Sequence, residues 1–122
     1  MDILGKAGQA VGDAVAKAKE RERIRLEDRL RQIDDLTAAA QQLVILRKHR
    51  LVNFGSKSEE QALKMISGAA TIADPALRDS VDALVDIKVS HEGPVPSAQI
   101  DAAYRSLVDR LAEIRRDTLA ED

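Results

Sequence analysis

Cysteine and tryptophan are absent from the 122-residue chain, its only aromatic residues are Phe54 and Tyr104, and proline occurs three times. Without cysteine there is no disulfide framework, thiolate metal site, iron–sulfur cluster or cysteine nucleophile. With two aromatics and no sustained period-two alternation, the usual strand signature is missing. The longest stretch of large apolar residues, Leu43 to Leu46, is far short of the roughly 20 residues that a membrane-spanning helix needs. The opening residues Met1 to Lys6 lack a basic region and a continuous apolar core, so no signal peptide is expected and the expected compartment is the cytoplasm.

What the chain does have is helix-forming residues. Ala is commonest, and Leu, Arg, Glu, Gln and Lys fill most other positions. The expected fold is all-α, an antiparallel four-helix bundle over residues 20–122 preceded by an amphipathic arm at 1–19. The longest helix is predicted over about 21–53, with the seam Leu26, Leu30, Ile33, Thr37, Ala40, Val44, Arg47 and Leu51 at steps of four and three, widened on one side by Leu36 and Leu43, as in near-parallel helix packing. Gly55 is suited to closing it. A second helix is expected after Ser56 or Ser58, with Ala62, Met65 or Ile66, Ala69, Ala70 and Ala73 on its apolar face and Leu63 beside it. Pro75 ends that helix, and Asp74 is placed to cap the third. The third helix carries Leu77, Val81, Leu84, Val85 and Val89 on one side and Asp79, Asp82 and Asp86 on the other. A loop holding His91, Gly93, Pro94 and Pro96 leads to a last helix capped by Ser97, with seam residues Ile100, Tyr104, Leu107, Leu111, Ile114 and Thr118.

In the arm, Ile3, Leu4, Ala7, Ala10, Val11, Ala14, Val15 and Ala18 share an arc of roughly 140°. That arc is expected to point away from the later seam. The polar run from Lys17 to Arg23 between them reads as a solvent-crossing connector or a break, supported at most by the i,i+3 pairs Glu20–Arg23 and Glu22–Arg25. The arm therefore need not pack on its own bundle. Its small residues suit a second helix. A membrane surface is a further possibility, although interfacial helices usually carry bulkier side chains.

Nothing points to catalysis, and no enzyme activity, cofactor, metal or small-molecule substrate is expected. His49 lies among positive charges. His91 with Glu92 could serve acid–base work or metal binding, yet no second ligand stands at helical spacing and a solvated loop residue is the plainer reading. The Asp79, Asp82 and Asp86 row lacks the glycine turn of a calcium loop and reads as a solvated face. Gly5, Gly8 and Gly12 follow no strand and match neither a dinucleotide fingerprint nor a phosphate loop.

Charge is divided unevenly, +3 over residues 1–73 and −5 over 74–122. The leading expectation is a non-catalytic association module, self-associating or a subunit of a larger assembly, acting through Leu4, Val11, Val15, Leu26 and Leu30. The alternative is a non-specific nucleic-acid backbone binder using Arg21, Arg25, Arg29, Arg47, Lys48 and Arg50. Asp34 and Asp35 interrupt that basic track, and two aromatics make no stacking platform for single strands.

Overall fold

A computed structural model describes residues 2–49, 55–89 and 93–120, with side chains described within 12–49, 57–89 and 93–120. Every regular element among these residues is an α-helix: α1 Asp2–Lys48, α2 Gly55–Ile72, α3 Pro75–Val85 and α4 Ser97–Ala120. α1 packs against α2 and α4, and α3 packs against α4 and α2.

The first helix departs from expectation at both ends. It does not begin near residue 21; α1 runs without interruption from Asp2, so the 19/20 boundary and the polar run Lys17–Arg23 lie inside one helix. Local propensity accounts for this, because Ala, Lys, Glu and Arg are strong helix formers and no Pro breaks the run. At the other end α1 stops at Lys48, not near 53. Gly55 opens α2, so neither Ser56 nor Ser58 caps it from outside. Arg47 and Lys48 in the last turn meet the negative end of the helix dipole. Leu51 lies outside the described residues, as do Arg50, Phe54, His91 and Glu92.

The buried core draws on all four helices: Ile33, Leu36, Ala39, Ala40 and Leu43 from α1, Ala62, Met65, Ala69 and Ile72 from α2, Leu77, Val81 and Leu84 from α3, and Ile100, Leu107, Leu111 and Ile114 from α4. Met65, not Ile66, faces inward, and Ala70 and Ala73 are exposed. Gly68 of α2 lies so close to α1 that a Cβ there would come 3.3 Å from Leu36 Cδ1. Leu36 and Leu43, expected beside the seam, are fully in the core with Ala39, while Leu26, Leu30, Thr37 and Val44 of the seam itself stay half-buried.

That rotation corrects the expected phase of the arm. At 100° per residue along one unbroken helix, Ala14, Val15 and Ala18 lie on the same side of α1 as the buried set, their centres within about 20°. The arm's apolar stripe is in line with the core-facing stripe. What it lacks is neighbours, since residues 12–25 are all exposed.

The turn between α2 and α3 follows the sequence closely. Ala73 takes a left-handed φ of 59°, its N–H donating to the Ala69 carbonyl. Asp74 caps α3, its Oδ1 accepting from the Leu77 N–H at 2.7 Å, with Pro75 in the first turn. α3 ends at Val85; Val89, expected on it, lies beyond and still packs against the core. Ser97 is the first residue of α4, and the carbonyl of Pro96 accepts from the Ile100 N–H.

Candidate functional site

The two features of α1 that bear on function are a shaft, residues 12–25, and a cleft at its root. On the shaft, Val15 is 48% and Ile24 52% exposed. One ion pair forms along it: Arg23 pairs with Glu20, and this contact and the nearby Glu27 raise the arginine's pKa further. The expected Glu22–Arg25 pair is not formed among the described residues. A Cβ added at Gly12 would meet nothing within 4 Å, so the chain's own packing does not require a glycine there.

At the root, Leu26 and Arg29 of α1 face Ile114 and Thr118 of α4 across an open cleft of about 610 Å3. Its floor is the ion pair of Asp74 with Arg110, whose Nε donates to Asp74 Oδ1 at 3.0 Å while another guanidinium nitrogen bonds the second oxygen. Arg110 also donates to Glu113 at 2.7 Å. These hydrogen bonds from Arg110, helped by the Leu77 N–H and the charge of Arg29, hold the Asp74 carboxyl below the usual carboxylate range against the opposing effect of burial. The same contacts raise the Arg110 pKa. One carboxylate thus caps α3 and ties it to α4. The helix cap was legible in the sequence, but the arginine 36 positions away was not, since nothing distinguishes Arg110 from Arg105 or Arg115 along a surface row.

Of the expected association residues, Val15 is exposed, Leu26 and Leu30 are half-buried at the root, and the side chains of Leu4 and Val11 lie outside the described set. The six expected phosphate contacts do not converge. Arg21 and Arg25 are exposed on the shaft, and Arg29 lies in the root cleft near Asp74. Arg47 is half-buried, its pKa lowered by burial despite the nearby Asp86; Lys48 pairs with Asp101, and Arg50 lies outside the described residues. About 39 Å of helix separates Arg21 from Arg47. Asp79, Asp82 and Asp86 are exposed. Among the described residues no group of three His, Cys, Asp or Glu could hold a metal ion, and no helix is long and apolar enough to cross a membrane.

A second apolar surface, which sequence reading missed, runs between α1 and α2. An open groove of about 790 Å3 is floored by Leu36, Ala39 and Gly68 and rimmed by Asp35, Glu60 and Leu63. Leu63 is 64% exposed, and Ile66 on the same helix 43%. The sequence signal for it is Leu63, a large apolar residue beside the inward face of α2. Comparison of the chain with protein-family models, curated proteins and solved structures gave no match.

Proposed function

We propose that this chain is a non-catalytic helical association module that uses the N-terminal half of α1 to bind copies of itself or to join a larger assembly. One observation carries the reading: a stripe in line with the buried face of α1 continues onto Ala14, Val15 and Ala18, where every side chain is exposed. Apolar surface of this kind gains about 25 cal/mol for each Å2 removed from water. An antiparallel bundle supplies the geometry. The ion pairs Asp34–Arg115 and Lys48–Asp101 support it, since a step of fourteen residues towards the C-terminus of α1 matches an equal step back along α4. In that arrangement the end of α4 at Ala120 falls level with residue 29 of α1, and the helix before that point stands free of α4.

Light scattering on the whole chain and on a Val15→Glu, Ala18→Glu variant tests the reading. The native chain is expected to scatter as an assembly and the variant as a monomer of unchanged helicity. A strict monomer at high concentration in both cases overturns it.

The nucleic-acid alternative draws support from Arg21 and Arg25, which are exposed and form no ion pair among the described residues. It requires binding to duplex or single strand that weakens steeply with salt and falls when both arginines are replaced by alanine. No shift at low salt removes it.

A further inference from the structure

We infer that Lys17, Arg21, Arg25 and Arg29 form one cationic track along α1 that holds the phosphodiester backbone of a nucleic acid without reading its sequence. The inference rests on the nucleic-acid reading and names its seat. Lys17 joins three of the expected arginines, and Arg47 and Lys48 are left out.

The four cations stand at steps of four residues. Each step advances about 6 Å along the helix and about 40° around it, so they follow one ridge about 18 Å long. The ridge begins after Asp13 and ends at Ile33, the first buried residue of α1 among those described. Lys17, Arg21 and Arg25 are exposed on it and Arg29 is half-buried. The parallel ridge of Lys19, Arg23, Glu27 and Arg31 mixes both signs.

Like charges one helical turn apart repel, and three such pairs follow one another here. The chain's own carboxylates do not relieve them. None of the four cations forms an ion pair among the described residues, whereas Arg23 pairs with Glu20 and Arg31 lies 3.8 Å from Asp28. Arg29 reaches into the root cleft, yet the two oxygens of nearby Asp74 are taken by Arg110 and the Leu77 N–H. An external anion whose charges repeat along a line relieves the whole ridge at once.

A phosphodiester backbone has that form, and three of the four cations are arginines, whose fork meets phosphate oxygens in pairs. Glu22 and Asp28 flank the ridge and repel an anion that strays from it. The ridge carries no aromatic residue on which a base could stack, and phosphate contacts alone carry no sequence information. Ala14 and Ala18 beside it are too small to anchor a helix in a lipid surface.

Fluorescence anisotropy of the whole chain with labelled duplex and single strand tests the track. Four phosphate contacts give a slope of log K on log salt of about −3.6 for duplex and about −2.8 for single strand, between about 50 and 200 mM. Replacing any one of the four by alanine, the strongest helix former, should flatten the duplex slope by about 1. Arg105→Ala, exposed on α4 and without an ion pair among the described residues, should leave the slope unchanged. A slope that answers to Arg21 and Arg25 but not to Lys17 and Arg29 overturns the track while the nucleic-acid reading stands. Binding to vesicles of anionic lipid or to polyglutamate, and to neither strand, overturns both, as does no binding at the lowest salt.

Discussion

At the scale of single residues, the α2–α3 turn concentrates the most consequential chemistry. Asp74 caps α3 and binds Arg110, so Asp74→Ala removes a helix cap and frees a guanidinium at once. The expected cost is about 2 kcal/mol in a denaturant titration, the upper end for loss of a cap, and Asp74→Asn should cost less because its amide oxygen still accepts from Leu77. The pH dependence has a definite sign. Arg110 depresses the folded-state carboxyl, so its stabilisation is complete above the unfolded value near 3.8 and is lost as pH falls through the lower folded value. Thermal melts from pH 6 to pH 2 should show Asp74→Asn losing less stability than the native chain below about pH 4. Ala73, one position earlier, holds a left-handed φ that a Cβ disfavours. Ala73→Gly is therefore expected to stabilise the fold by up to about 1 kcal/mol in the same titration, and a loss of stability would show that the turn does not need that conformation.

At the scale of the element, α1 shows what the sequence made legible and what it hid. The helical class, the Pro75 start of α3 and the α4 seam followed from propensity, caps and spacing, because those signals act within a few residues. The face of α1 was legible only in part: Ile33, Ala40 and the flanking Leu36 and Leu43 are buried as expected, but how far the helix turns towards Leu36 depends on how closely α2 approaches at Gly68, and no local pattern encodes that contact. The polar run Lys17–Arg23 was equally ambiguous, being compatible with a break or with a solvated helix, and the structure resolves it as helix. A helix that continues from a segment already packed in a core escapes the cost of nucleation, so it can persist without neighbours. Ala16 is exposed and points away from the apolar stripe. Ala16→Pro should therefore lower the helical circular dichroism by breaking the shaft while leaving the melting midpoint of the four-helix core nearly unchanged. A lowered midpoint would mean that the shaft packs on the other helices of its own chain.

At the scale of the whole molecule, one long helix is set against three shorter ones. The apolar core closes among the described residues without residues 12–25, and every buried side chain lies from Ile33 onwards. The candidate surface was legible in part: Val15 was identified from its arc, but the groove beside Leu63 emerged only when α1 and α2 were placed side by side. A single thiol at position 15 tests most directly whether another molecule covers the shaft. Alkylation of Val15→Cys should slow as protein concentration rises, while alkylation of Asp82→Cys, on the outer face of α3, keeps one rate throughout. Equal and concentration-independent rates at both positions would contradict the account.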